Sequence, residues 1–240
     1  MIDDILTVMW KERKGLFRFR GSRTRFLLTL LMPVLMAFQG PLSDGPDWVE
    51  QEGSVIFAAI IPVIVVLITV PESFAGERER HTLGTLLASR LPDRAILFGK
   101  LAVSLAFAWG VTLIVLLLGL VIVNVAHGDG ELLFFTPTIA LADLAVSFLL
   151  ATLCAGAGVL ISLRSATVQE AAQTLAAVFF MPPMLLTMAL LLFRDQVRDI
   201  VGSLSGEQIL LVIVVLLAAA DLAVFAAAMA RFQRSRLYLD

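Results

Sequence analysis

The sequence predicts an all-α integral membrane protein with six transmembrane helices and both termini in the cytoplasm, and three observations predict it. Hydrophobic residues make up 59% of the 240 and charged residues only 16%, against about 25% charged in an ordinary soluble domain. The apolar residues gather into blocks near 26–40, 54–75, 96–126, 132–162, 171–193 and 207–230, and roughly 20 helical residues suffice to cross a bilayer core. With six crossings, 16 of the 18 lysines and arginines fall on one side, leaving only Arg194 and Arg198 on the other. A bias of that size sets orientation by the positive-inside rule and puts the charge-rich termini in the cytoplasm.

Residues 1–25 are too polar to span. Ile2, Leu6, Met9, Leu16 and Phe17 approximate one helical face, and Trp10, Phe17 and Phe19 stand beside lysines and arginines. That composition suits an amphipathic helix on the inner membrane surface, or a generic basic anchor for the first span. The first span is short and holds Pro33, which neighbouring helices can accommodate. Glu72, after Pro71 at the cytoplasmic mouth of the second, is interfacial. The third, at 31 residues, is roughly 46 Å long and must tilt or project from a core of about 30 Å.

The fourth span carries Asp143 and the small-residue run Ala151–Gly158, which permits close helix packing and takes in Cys154. The fifth contains Pro182 and Pro183, a kink that acts as a gate or stays a static bend. The sixth carries Asp221. A carboxylate within a span costs about 2.5–3.5 kcal/mol on insertion scales. Asp143 and Asp221 therefore line a substrate or ion path, or are acids hydrogen-bonded to a neighbouring helix or, for Asp143, to Ser147. The segment 194–206 reads as a short polar helix on the outer side.

Several function classes are excluded. Net charge is −2, so no nucleic-acid partner is expected. One cysteine leaves no intrachain disulfide and no cysteine metal site. His81 and His127 fall on opposite sides of the membrane, so no metal site is predicted, and no G-x-S-x-G elbow occurs. Asp3 and Asp4 stand where a signal peptide would be basic.

The segment Ser73–Arg94 opens with alternating charges and continues with Leu83, Leu86, Leu87 and Leu91 at helical spacing before Pro92. It reads as a short amphipathic docking helix or as a solvated loop. Glu77-Arg-Glu-Arg-His-Thr-Leu-Gly-Thr-Leu-Leu-Ala88, followed by Leu91-Pro-Asp-Arg94 and Gly99-Lys100, resembles the charged loop of type-2 ABC transporter permeases. Trp10-Lys-Glu12, Thr167-Val-Gln-Glu-Ala-Ala-Gln173 and Met181-Pro-Pro183 resemble three further stretches of that family. His81 stands where the family has glycine, and no acidic residue follows Gly84-Thr-Leu86.

The resemblance implies an ABC-2-type permease fold: a connecting helix at 1–25, with Trp10, Lys11 and Glu12, and a six-helix membrane domain at 26–240. A coupling helix at 74–91 would seat on a cytoplasmic ATPase through Phe74, Glu77, Arg78, Glu79, Arg80, Thr82, Leu83, Leu86 and Leu87. It also implies a dimer, homo- or heteromeric, exporting substrate by alternating access across a prokaryotic inner membrane among lipids. ATP and Mg would be bound by separate ATPase subunits, because Phe98-Gly-Lys100 lacks the rest of a P-loop, and the chain itself would not be an enzyme. Two rivals are a secondary transporter using Asp143 and Asp221 as an ion or proton relay, and an ABC module that transmits ATPase work without transport.

Overall fold

The computed structural model describes residues 1–17, 23–82, 90–128, 130–193 and 205–231. Among them the chain forms eight helices and no strand: α1 (Ile2–Phe17), α2 (Arg23–Asp44), α3 (Asp47–Glu50), α4 (Gly53–Glu79), α5 (Asp93–His127), α6 (Pro137–Ser162), α7 (Val168–Leu192) and α8 (Gly206–Arg231). Five of them, α4 to α8, are long and apolar enough to cross a membrane, which is the character of a multi-pass membrane protein. The block expected at 26–40 lies within α2. Its 22 residues extend roughly 33 Å, with Ala37 against Ile61 of α4 and Val115 of α5. Arg194 and Arg198, the rest of the 194–204 segment, and Leu83, Leu86 and Leu87 lie outside the described residues.

Two boundaries differ from expectation. The block at 132–162 becomes helical only at Pro137. The Thr136 hydroxyl accepts from the Ile139 N–H at 3.4 Å, and Pro137 sits where its missing N–H leaves nothing unpaired. In α4 the helix continues past residue 75 to Glu79, since no residue after Pro71 interrupts it. Phe74 to Glu79, expected within a separate docking helix, thus prolong a span.

α4 is the centre of the bundle. Val65, Val66 and Val70 are fully buried and share one core with Ile96 of α5, Val159 of α6 and Leu175 of α7. Small residues bring the helices together: Gly158 faces Val70 and Leu175, and Gly156 faces Val224 of α8. Cys154 is buried in this packing.

The bundle has two unlike ends. At one, α1 lies across the start of α5. At the other, the turn after α2 holds α3, too short for periodicity to reveal. Trp48 of α3 is almost wholly buried among Val49, Ala58, Leu116 and Val123, and its ring lies 5.4 Å from that of Phe135. Nearby, Asn124 pins the α5–α6 connection: its side chain donates to the Leu133 carbonyl at 2.9 Å and accepts the Leu133 N–H at 2.7 Å.

Gly119 makes room for Trp48, because a methyl group there would clash with the edge of the indole ring. Gly119→Ala should therefore destabilise by about 1–3 kcal/mol, the usual cost of overpacking. The check is a lower apparent melting temperature in detergent. Gly110→Ala, on the same helix but with nothing within 4 Å of the added carbon, should leave that temperature unchanged.

Candidate functional site: a charge cluster where helices converge

α1 reaches the bundle through a glycine. Val8 is buried because α5 offers it Gly99, where a Cβ would lie 2.6 Å from Val8 Cβ and 3.1 Å from the Ile5 carbonyl oxygen. The packed face is therefore Ile5, Val8 and Glu12, one turn apart on the helix. Ile2, Leu6 and Trp10, spaced at i, i+4 and i+8, form a second stripe that is exposed. Ile2 and Leu6, read from the sequence as part of a face lying on the membrane surface, belong to this exposed stripe and not to the side packed on α5. Lys14 Nζ stands 3.5 Å over the Trp10 ring.

This contact brings together charges from three helices. Lys100, on the next residue of α5, is 2% exposed. Its ammonium lies 3.1 Å from Glu12 of α1 and 3.0 Å from Glu77 of α4, and it donates to the Ser73 carbonyl at 2.7 Å. Lys11 approaches Glu77 at 2.6 Å and Glu12 at 3.2 Å, and the Ser73 hydroxyl donates to Glu12 at 3.2 Å. Two lysines thus balance two glutamates, as a buried charge requires. The Phe74 ring, also buried, lies 5.3 Å from the Lys100 ammonium.

Protonation follows from that geometry. Burial by itself would push the Glu12 carboxyl up, but Lys100 and Lys11 outweigh it and hold the group below its ordinary 4.5. For Lys11, burial opposes the charge, and the hydrogen bond and charge of Glu77 together with Glu12 raise the group above 10.5. The depressed carboxyl contributes stability above pH 4.5 and loses it as the pH falls further. The raised lysine contributes below pH 10.5 and loses it only as the pH climbs past that value.

The neighbours of Glu77 reach elsewhere. Arg78 donates to the Leu163 carbonyl at 2.7 Å, at the end of α6. Glu79 accepts the Val168 N–H at 3.0 Å, at the start of α7. Thr167 caps α7 by accepting from Glu170 N at 3.2 Å, and the Glu170 carboxylate accepts the Ala166 N–H at 2.8 Å, in the manner of a capping box. Three consecutive residues, Glu77, Arg78 and Glu79, therefore join α4 to α1 and α5, to α6, and to α7. Arg80 pairs with Glu72 at the surface.

His81 ends α4 in the left-handed region, φ 55°. Its N–H donates to the Arg78 carbonyl at 3.0 Å, and the Thr82 N–H to the Glu77 carbonyl at 2.9 Å. That pattern is a Schellman stop, whose left-handed position favours glycine. Histidine is among the few other residues enriched there.

The two acids within the spans are not brought together. Asp143 is buried, and neither of its oxygens has a hydrogen-bond partner among the described residues. Its polar neighbour is Ser54 of α4, also buried and also without a hydrogen-bond partner among the described residues. Ser147 does not serve it: that hydroxyl accepts from Trp109 Nε1 at 3.1 Å and donates to the Leu144 carbonyl at 3.2 Å. Asp221 of α8 instead accepts from Thr152 of α6. Thr152 and Asp143 are nine residues apart, roughly 13 Å along the helix axis. Pro182 and Pro183 are exposed within a helix that continues through them, and Thr187 donates to the Pro183 carbonyl at 2.8 Å.

Among the described residues no cluster of histidine, cysteine and acidic side chains could hold a metal. No family model matches the chain, and no curated protein matches it. The sequence placed Gly99-Lys100 within the family-like stretch and counted Lys100 among the basic residues, but gave neither residue a contact and Ser73 no role of its own. The available clue was position, since Lys100 lies four residues inside the apolar block that opens at Ile96.

Lys100→Met would leave two buried carboxylates short of a cation and should cost about 3–5 kcal/mol. Adding Glu77→Gln should recover part of that loss; thermal unfolding in detergent checks both. Hydrogen exchange over residues 2–17, corrected for intrinsic rates, should remain slow from pH 5 to 9. It should accelerate as the pH drops below 4.5, where Glu12 takes up its proton.

Proposed function

We propose that the chain is the transmembrane subunit of a type-2 ABC exporter, spanning a prokaryotic inner membrane six times with α2 as the first crossing. It works as a dimer with separate cytoplasmic ATPase subunits that bind and hydrolyse ATP with Mg. In this reading the end that carries α1 faces the cytoplasm, in keeping with the basic residues gathered on that side. Alternating access is then a rigid-body rearrangement of packed helices, which have discrete arrangements and do not deform continuously.

One observation carries the reading. Four stretches that resemble the family, Trp10–Glu12, Glu77–Arg80, Gly99-Lys100 and Thr167–Glu170, are scattered along the sequence yet meet at one end of the bundle, while Met181–Pro183 lies further along α7. Lys11 and Glu12 contact Glu77 and Lys100, and Glu79 holds the first turn of α7. A force applied to the segment after Arg80 would act on α1, α4, α5, α6 and α7 together, which is the mechanical task of a coupling loop. The contacts of Glu77, Arg78 and Glu79 within the chain support a role in transmission, with docking left to the residues beyond, Leu83, Leu86 and Leu87. A two-acid relay is less well supported, because Asp143 and Asp221 face different helices.

The test is affinity purification in mild detergent with identification of the bound soluble subunit, for wild type and for Leu86→Glu with Leu87→Glu. An ATPase that is retained by wild type and depleted at least tenfold by the double variant supports both the exporter and its docking loop. Transport by the purified complex then separates export from a module that only transmits work. Recovery of no ATPase under several gentle conditions would sink the proposal.

A further inference from the structure

α7 is anchored unevenly. Only Ala171 and Leu175 are buried along it, and Phe179 is the last residue that packs on the core. From Met181 to Thr187 every residue is exposed, with Met184 at 73%. Among the described residues, the half of α7 beyond Phe179 thus stands apart from that core. Its first turn is fastened by two separate devices. The Thr167 hydroxyl takes the Glu170 N–H, a contact local to α7. The Glu79 carboxylate takes the Val168 N–H and belongs to α4, 89 residues away in sequence.

The second device differs in kind from the first. Its acceptor oxygen belongs to another helix, so the contact transmits displacement between α4 and α7 as well as satisfying one of the N–H groups left unpaired at a helix start. Gly76, one turn before Arg80, lets Val168 Cγ2 approach to 3.4 Å of the position its Cβ would fill, so the end of α4 and the start of α7 lie in direct apposition. Glu77, two residues away from Glu79, is meanwhile fixed to Lys11 and Lys100.

We infer that Glu79 is a positioning residue for transport: it sets the tilt of α7, delivering movement of the α4 terminus to a span whose outer half is free to swing. The inference rests on the reading of the chain as a transport subunit for its purpose, while the link itself is a property of the chain alone. From Val168 to Met184 the lever is roughly 24 Å long, so a change in tilt of about 10° moves Met184 by roughly 4 Å.

The experiment places spin labels on cysteines introduced at Met184 of α7 and Leu117 of α5, both exposed. The buried Cys154 is left in place. Pulsed electron paramagnetic resonance then gives their separation in phosphatidylcholine nanodiscs, with excess unlabelled chain present to dilute any distances between copies. Glu79→Ala should shift or broaden the distribution by roughly 4 Å, the displacement of that lever. Glu79→Gln, whose amide oxygen still accepts the N–H, should stay near wild type and keeps the test alive if the alanine variant folds poorly. Thr167→Ala removes a cap from the same helix end without touching α4, and should shift the distance by less than half as much.

An unchanged distance in Glu79→Ala overturns the inference. So does a shift in Thr167→Ala that equals it, which would reduce Glu79 to ordinary capping. A shift in Glu79→Gln as large as that in Glu79→Ala does the same. Because these distances need no ATPase, failure to recover one would count against the proposed function and leave the lever standing.

Discussion

An ammonium group with almost no exposure cannot be left uncompensated. Lys100 begins inside an apolar helix, and the cost of removing its charge from water is met only because Glu12, Glu77 and the Ser73 carbonyl converge on it. Much else at that end follows. Glu12 has to come from α1, so α1 must lie across α5, and Gly99 beside Lys100 provides the space. Lys11, adjacent to Glu12, then reaches Glu77 and completes a neutral quartet.

The two ends of the bundle are held by different physics. At the α1 end the contacts are charges and main-chain caps, whose geometry is directional and whose partners can exchange. At the α3 end they are close packing of an indole ring against Gly119 and the neutral hydrogen bonds of one asparagine to the α5–α6 connection. A charge-based junction that joins many elements suits a place where force enters. A close-packed junction suits a place that keeps its shape, since interiors at near-crystalline density resist small deformation. Between them α4 supplies the continuous spine, and α7 leans on it by its first turns only.

The apolar blocks were legible because a membrane-crossing helix needs little beyond length and hydropathy, and five helices with that character occupy predicted positions, while the first block, 26–40, lies within α2. The start of α6 was missed by five residues because Leu132–Phe135 are apolar yet extended, and hydropathy alone does not distinguish the two states. Which face of α1 packs on the bundle was not legible for a related reason. Two apolar stripes, Ile5–Val8 and Ile2–Leu6–Trp10, fit the helical period equally well, and only the partner selects one. Asp143 and Asp221 read alike in sequence, as acids within spans. They differ in the fold because one meets Thr152 of a facing helix and the other meets Ser54 without forming a hydrogen bond.

By itself the sequence determined the solvent, the helical class, the approximate ends of the long elements and the stretches that resemble a transport family. Each is a local property, set by hydropathy, period or motif within some twenty residues. Tertiary structure alone decided which charges are partners. Lys11 and Glu77 are 66 residues apart and Glu79 and Val168 are 89, and no local pattern encodes such a pairing. It arises because the packing of α1, α4, α5 and α7 leaves each charge one place in which its counter-charge or an unpaired N–H is within reach.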